Sequence, residues 1–284
     1  MKFFFLLVLL CCVSLYQLNA ISIVIPRTST NVERDSYEMG LLKLILEKAG
    51  ESYTLTRTSR IYTQSRVIKS LENNEKISIY WMGTSKELEK KLLPIRIPLA
   101  FGILGYRVFI IHKNQQSKFD KITTLSDLQK LKGAQGYGWS DNEILEYSGL
   151  KQHQNAYENI FKMVNHGNRI DYFSRGLNEA FGEVTSREGS LTNLTVEKKI
   201  LLVYPFSKFF FISKENKKLE KLLTEGIEKI IEDKSFIKYF YNNEHIKKMF
   251  KNSNLKNRIR IDIPNPLLSE ETKEALEKYK LETQ

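Results

Sequence analysis

Cysteine is scarce in this chain of 284 residues: Cys11 and Cys12 are the only two, and both lie near its start. Disulfides cannot hold the later residues together, so a hydrophobic core must stabilise them, and the chain is long enough to build one. Histidine is scarce as well. The four histidines occur singly, without an H-E-x-x-H motif or a neighbouring cysteine, which argues against metal and thiol chemistry. We expect no metal site and no cofactor.

Motifs of common enzymes are missing too, because there is neither a G-x-S-x-G elbow nor a phosphate-binding loop. Signs of nucleic-acid binding are also weak. The formal net charge is +11, but the lysines alternate with glutamates at helical spacing, as in 217–234, which is typical of a solvated helix face. No arginine-rich arm accompanies them. The sequence predicts a protein that is not an enzyme and has no nucleic-acid partner.

Long apolar runs are absent except at the start of the chain. Lys2 precedes an unbroken apolar run from Phe3 to Val13, and the small residue Ala20 ends this segment. That order is typical of a secretory signal peptide, and the run is shorter than the roughly 20 residues that a transmembrane helix needs. We predict cleavage near Ala20, export to the periplasm and a soluble mature protein.

Strand and helix patterns alternate along the rest of the chain. Two units with this alternation are separated by two long apolar stretches, 92–113 and 200–214. Alternation of this kind predicts α/β units, and two units joined by two crossing strands make two lobes with a cleft. Such clefts, at the carboxyl ends of the strands, are where α/β proteins bind ligands. Within the second unit, Ser140 and Glu143 predict a capping box that opens a helix.

Three local motifs point to a known family: WMGTSKELEKKLLPIRIPL (81–99), LKGAQGYGWSD (131–141) and NRIDYFSRG (168–176). With the element order, they resemble the type 2 periplasmic solute-binding proteins, family 3, which includes amino-acid receptors of ABC transporters. The resemblance runs from about Ile21 to about Met249. It implies an α/β fold with two lobes, each a mixed sheet flanked by helices, and two crossover strands between them.

The same resemblance implies the domain organisation and the partners. After a signal peptide at 1–20, lobe 1 comprises 21–108 and 208–250, and lobe 2 comprises 109–207. The tail, 251–284, has no assigned role. We expect a monomer that binds a small molecule and interacts with an ABC permease or a membrane sensor.

Two residues that bind the ligand in amino-acid receptors differ here. Those receptors carry an arginine three residues after the threonine that matches Thr84, and it grips the ligand carboxylate; this sequence has Glu87 there, or Glu89 in an alternative alignment. They also carry an acid after the strand that matches 170–174, which receives the ligand ammonium. Here Arg175 or Gly176 takes that place. The reversed charge predicts a ligand that presents no ammonium at this point.

Three arginines are candidates for binding an anionic ligand. Arg175 lies where a strand meets a helix N-terminus, and a cation there is unfavourable unless something negative shares the site. It is either a surface charge or one wall of an anion site. Arg96, between Pro94 and Pro98, faces the cleft or solvent, and Arg27 follows the first strand.

The two tryptophans, Trp81 and Trp139, fall at corresponding strand ends in the two units, where two rings could enclose a ligand or pack in the core. Weaker candidates, as hydrogen-bond donors, are Tyr62, Thr84, Ser85, Tyr137 and Ser140.

Together these features predict a periplasmic solute-binding protein that closes by hinge motion on a small polar, anionic or carboxylate-bearing ligand for uptake by an ABC transporter. One alternative is a ligand-sensing subunit that presents its bound state to a membrane receptor kinase. A more distant one is a cell-wall enzyme with a binding-protein-like domain.

Overall fold

A computed structural model describes residues 20–29 and 35–281. The predicted signal peptide, apart from Ala20, lies outside the described residues. None of the helices in the described ranges combines the length and the apolar character that a bilayer crossing requires.

The first lobe is built on two small sheets, one of two parallel strands and one of three antiparallel strands. Strand β1 (Ile21–Arg27) pairs in parallel with β2 (Tyr53–Ile61), while β3 (Ile79–Gly83) and β4 (Leu93–Ile95) both pair antiparallel with β11 (Lys208–Ile212). The Ser78 amide donates to the Val24 carbonyl at 2.8 Å and links these two ladders. The helices of this lobe are α1 (Ser36–Ala49), α2 (Gln64–Glu72), α3 (Lys86–Lys91), α9 (Lys217–Glu232) and α10 (Ser235–Asn242).

The second lobe holds a larger mixed sheet with the strand order β12-β10-β5-β8-β6-β7, and β9 pairs with β5 beside this path. Its strands are β5 (Tyr106–His112), β6 (Gly133–Gly136), β7 (Gln152–Asn155), β8 (Tyr172–Gly176), β9 (Leu194–Val196), β10 (Ile200–Val203) and β12 (Ile259–Asp262). Its helices are α4 (Gln116–Phe119), α5 (Leu125–Leu128), α6 (Asp141–Tyr147), α7 (Tyr157–His166) and α8 (Leu177–Thr185). The two-lobed α/β architecture predicted from the sequence is confirmed.

Two further helices follow the first lobe, α11 (Glu244–Ser253) and α12 (Glu270–Lys278), on either side of β12. The lobes are connected by residues 96–105 and 204–207, which lie between strands of different sheets. The apolar stretch 200–214, interpreted from the sequence as one of the two crossing strands, contains two strands, because the chain bends at Pro205 and places β10 and β11 in different sheets. The tail also contains a strand, β12, which the sequence reading did not predict; it pairs in parallel with β10.

The predicted capping box at α6 is wrong as well. The Ser140 backbone is helical (φ −58°, ψ −27°), and its side chain makes no cap hydrogen bond. An N-cap residue normally has extended backbone angles, which point its hydroxyl at the free N–H groups. The helical turn therefore already includes Ser140 and leaves its hydroxyl free to face the cleft.

Helices α1 and α9 approach each other closely at Gly226. A Cβ atom at this position would lie 2.2 Å from the Ile45 carbonyl oxygen, so the backbones would have to separate. We expect Gly226→Ala to lower the free energy of unfolding by about 1–3 kcal/mol through overpacking. Urea denaturation would measure it. The control is Gly189→Ala, whose Cβ would have no neighbour within 4 Å and which should change stability by less than about 0.5 kcal/mol. Equal effects for both variants would contradict the close approach.

Candidate functional site

A cavity of about 300 Å³ opens between the lobes, and five aromatic side chains contribute to its walls. The first lobe contributes the residues that follow β1 and β2, and the second contributes those that follow β6 and β7. We call it the aromatic chamber; its rings belong to Tyr62, Tyr80, Tyr137, Trp139 and Tyr157. This volume lies at the lower end of the range for small-molecule sites.

The rings of the aromatic chamber are fixed to different degrees. Tyr80 stacks on Trp81 with centroids 5.5 Å apart, and Trp139 stacks on Phe173 at 6.1 Å. Tyr157 lies 6.0 Å from Trp139. By contrast, the side chain of Tyr137 is 60% exposed at the mouth. The chamber thus has a rigid inner wall and an adaptable rim.

A smaller and more polar cavity of about 50 Å³ lies deeper between the lobes. Gln64, Tyr80 and Trp139 line both cavities, so the two are adjacent. We call the smaller one the inner cavity. Its other walls include Trp81, Ser140 and several buried charges.

Those charges form a chain that crosses from one lobe to the other. In the first lobe, the Lys208 ammonium donates to Glu38 at 3.0 Å, and across the cleft it contacts Glu179 at 2.7 Å. Glu179 in turn lies 2.9 Å from Arg175, whose guanidinium also makes two 2.7 Å hydrogen bonds to Glu183. We call these five residues the charge chain. Negative and positive side chains alternate along it, and it connects the two lobes.

The opposite charges in the charge chain stabilise one another's ionised forms. Burial is the largest influence on Glu179 and Glu183 and alone would raise their pKa. The neighbouring groups, Arg175 foremost, together outweigh it and hold both pKa values below their usual range. Burial likewise opposes the charge on Lys208, yet Glu179 and Glu38 raise its pKa above the ordinary value. Arg175, Glu179, Glu183 and Lys208 are therefore ionised at neutral pH.

Arg175 is also held by aromatic rings. Its guanidinium carbon lies 4.9 Å from the Trp139 ring centroid and 5.0 Å from that of Phe173, and the side chain is only 3% exposed. The idea that Arg175 is a surface charge is therefore wrong. Its negative partners are two carboxylates of its own chain, Glu179 and Glu183.

A second buried network connects the inner cavity to both lobe connections. Arg107, just after the first connection, contacts Asp141 at 3.0 Å and the Ser174 carbonyl at 2.9 Å. Tyr204, in the second connection, donates to the same Asp141 carboxylate at 2.6 Å. Burial, only partly offset by the Arg107 charge, raises the pKa of Tyr204, so its hydroxyl stays a donor. Asp141 thus joins the cavity wall to both connections.

Of the ten residues singled out in the sequence, some meet at the cleft. Tyr62, Tyr137 and Trp139 line the aromatic chamber, while Trp81, Trp139, Ser140 and Arg175 line the inner cavity. Ser85 lies in a neighbouring groove and caps α3 by accepting from the Leu88 amide at 3.2 Å.

The remaining three make other contacts. Arg96 donates to Glu89 at 3.0 Å, and Thr84 donates to the same carboxylate at 2.5 Å. Arg27 donates to the Ser59 carbonyl at 3.3 Å on the first sheet. Arg96 and Thr84 therefore share Glu89, and Arg27 is engaged by its own lobe.

Sequence reasoning missed several residues of the site. Glu179 and Glu183 follow Arg175 at four-residue spacing, which puts both carboxylates on one face of α8. Arg107 and Lys208 each stand alone at the start of an apolar run, in GYRVFII and SKFFFI. A single charge in such a run needs a buried partner, and this signal could have identified both.

No protein-family model matches the chain, and no curated protein matches it. Solved structures do. An ancestral arginine-binding protein bound to arginine is 15% identical with a TM-score of 0.57, covering 78% of this chain and 96% of that one. The arginine-bound amino-acid ABC transporter substrate-binding protein AbpA of Streptococcus pneumoniae is 14% identical with a TM-score of 0.57, covering 82% and 95%.

A histidine kinase sensor domain with similarity to periplasmic binding proteins is also similar: it is 14% identical with a TM-score of 0.56, and the match covers 78% of this chain and 94% of that domain. Identities this low show the fold alone. The chain therefore has the two-lobed fold of periplasmic binding proteins.

Proposed function

We propose that this protein, with its periplasmic-binding-protein fold, is an exported receptor that closes its lobes on a small polar ligand. The observation that carries the proposal is the aromatic chamber, which is formed by loops of both lobes at the carboxyl ends of their strands. A ligand there would touch both lobes at once, so binding would favour closure. We also propose that the protein acts as a monomer.

The charges around the cleft support a ligand without net negative charge. Each cation that lines the inner cavity already has a carboxylate partner: Arg175 has Glu179 and Glu183, Arg107 has Asp141, and Lys208 has Glu38 and Glu179. An anion would have to displace one of these partners. A cationic group, in contrast, is attracted by aromatic faces such as those of the chamber. We therefore propose a zwitterionic or cationic ligand in place of the anionic one.

Two of the similar structures are arginine-bound receptors, and one of these belongs to an amino-acid ABC transporter. We propose an amino acid or amine of similar size as the ligand and a periplasmic site of action, with delivery to an ABC permease.

A thermal-shift series separates these ligand classes. The compounds are arginine, agmatine (arginine without its carboxylate), glutamine, glutamate and glutarate. A compound at 100 times its Kd should stabilise the protein by about 2.7 kcal/mol. We expect stabilisation by arginine, agmatine or glutamine and none by glutarate. Stabilisation by glutarate or glutamate alone would overturn the proposed charge preference and restore the anionic ligand.

Tryptophan fluorescence tests the place of binding. Trp139 is half-buried in the aromatic chamber, whereas Trp81 is buried against Tyr80 and is 4% exposed. We expect a stabilising ligand to change the emission of the protein, Trp139→Phe to abolish that change, and Trp81→Phe to retain it. A ligand signal that survives Trp139→Phe would place the ligand elsewhere.

A sensing role is the second candidate, and the similarity to a histidine kinase sensor domain favours it. Deleting the protein distinguishes the two roles in cells. Transport predicts that uptake of the labelled ligand is lost, and sensing predicts that uptake continues while the transcriptional response to the ligand disappears.

A further inference from the structure

After α10 of the first lobe, the chain passes to the second lobe and then returns to the first. Helix α11 leaves α10 of the first lobe and packs against α8 of the second. It lies in the seam between the lobes, since His245 is 3.2 Å from Ser36 in α1 and a Cβ at Gly182 in α8 would lie 3.9 Å from its ring. The segment that follows, residues 254–281, is the C-terminal strap.

One end of the C-terminal strap is fastened to the second lobe. The Arg258 side chain is 2% exposed and donates to the carbonyls of Glu197 at 2.6 Å and Ile200 at 2.8 Å. Directly after it, β12 pairs with β10 over four residues, and Ile261 and Ile263 are buried in the core of this lobe. A buried arginine with several acceptors and a strand ladder together make a firm anchor.

The other end is fastened to the first lobe through Glu89. This carboxylate accepts from Ser269 at 2.7 Å and from Thr272 at 2.8 Å, both in the strap. It also accepts from Thr84 at the end of β3 and from Arg96 in the first lobe connection. Burial opposes its charge, but these four donors lower the pKa of Glu89, so the carboxylate is ionised and holds all of them.

Between the two anchors the strap runs alongside the second lobe connection. The Asn265 side chain donates to the Pro205 carbonyl at 2.8 Å, and the Leu267 carbonyl accepts from the Lys86 amide at 2.7 Å. Only residues 263–268 separate β12 from the N-cap of α12, which is Ser269. A short tether between two anchors on different bodies limits how far those bodies can separate.

We propose that the C-terminal strap restrains opening of the cleft, so that the lobes stay close together without ligand and ligand exchange requires the strap to stretch or detach. The consequence for ligand exchange rests on the proposed binding function. The restraint itself does not, since it concerns only the distance between the lobes.

Spin-label distance measurements on the ligand-free protein test the restraint. The only cysteines are Cys11 and Cys12, so a protein expressed without residues 1–20 accepts labels solely at introduced sites. Lys69→Cys in α2 and Lys151→Cys before β7 place one exposed label on each lobe. We expect one narrow distance distribution in the parent protein.

Two variants loosen the strap in different ways. The first inserts Gly-Ser-Gly-Ser after Pro264, which is exposed, and so keeps both anchors but adds slack. The second, Ser269→Ala with Thr272→Val, removes two of the donors to Glu89. The control places the same insertion in the exposed turn at residues 73–76, within one lobe.

We expect each strap variant to show a second, longer distance population of about 10% or more, and the control to show none. A single parent-like distribution in the slack variant, with a cooperative unfolding transition proving that it is folded, would overturn the proposal. Two populations already present in the parent would overturn it too. Neither result depends on which ligand binds. The spin-label experiment therefore tests the strap alone, and the thermal-shift series tests the proposed binding function.

Discussion

Arg175→Met is expected to lower the free energy of unfolding by about 3–5 kcal/mol at pH 7, the cost of removing one partner from a buried ion pair. The variant keeps much of the side-chain volume against Trp139 and Phe173, so the loss comes mainly from Glu183 and Glu179. Among the described residues, the Tyr157 hydroxyl, at 2.6 Å, would remain as a side-chain donor to Glu183. A buried carboxylate without its cation is costly to ionise. Urea denaturation at pH 7 measures the loss.

The same variant has a predictable pH dependence. In the parent protein, the pKa values of Glu179 and Glu183 are lower in the folded state than in the unfolded state. These groups therefore stabilise the fold fully above about pH 4.3, the unfolded-state pKa, and this stabilisation is lost as the pH falls through the folded-state pKa values. In Arg175→Met, burial raises the folded pKa of Glu183, so the variant loses stability as pH rises. The difference between the two proteins should therefore be larger at pH 7 than at pH 4.

The matched control is Arg260→Met. Arg260 pairs with Asp262 at 2.7 Å, but both side chains are more than half exposed. Exposed pairs contribute about 0–1 kcal/mol, so this variant should unfold almost like the parent at both pH values. A loss in Arg175→Met that is equally small, or independent of pH, would contradict the role of the charge chain.

Trp139→Ala is expected to weaken ligand binding more than any other single change in the aromatic chamber. This ring lines both the chamber and the inner cavity and also covers the Arg175 guanidinium. Loss of a buried aromatic anchor costs about 2 kcal/mol or more, which is about a 30-fold rise in Kd. Isothermal titration with the most stabilising compound of the thermal-shift series measures it.

Tyr147→Ala is the control for that experiment. Tyr147 is 65% exposed at the end of α6, and its removal should leave the Kd within about twofold of the parent value, in line with other surface changes. If both variants bind the ligand equally well, the ligand does not contact Trp139, and the assignment of the aromatic chamber as the binding site is contradicted.

The sequence predicted the alternating elements well because their signals are local. Helix α1, for example, carries Leu42, Ile45 and Leu46 on its buried face and ends at Gly50, whose φ is 85°. Such spacing and capping depend on neighbours within a few residues. The two-lobed fold then followed from the order of the elements and from the family motifs.

The features that the sequence did not predict depend on contacts between residues that are far apart in the chain. Strand β12 is only four residues long and contains Arg260, so nothing local reveals that β10 completes its ladder. The reading of Arg175 as an anion site also lacked its partners, since Glu183 acts only because α8 folds back over β8. The charge reversal at Arg175 could not identify the ligand's charge without the positions of the neighbouring carboxylates.

The pairing of β10 with β12 bears on the order in which the protein can be completed during synthesis. The edge of β10 has no parallel partner until residues 259–262 have left the ribosome, and β11 of the first lobe also comes late in the chain. Neither lobe can therefore finish folding on an N-terminal fragment. An interrupted chain would expose an open strand edge, which is a template for aggregation.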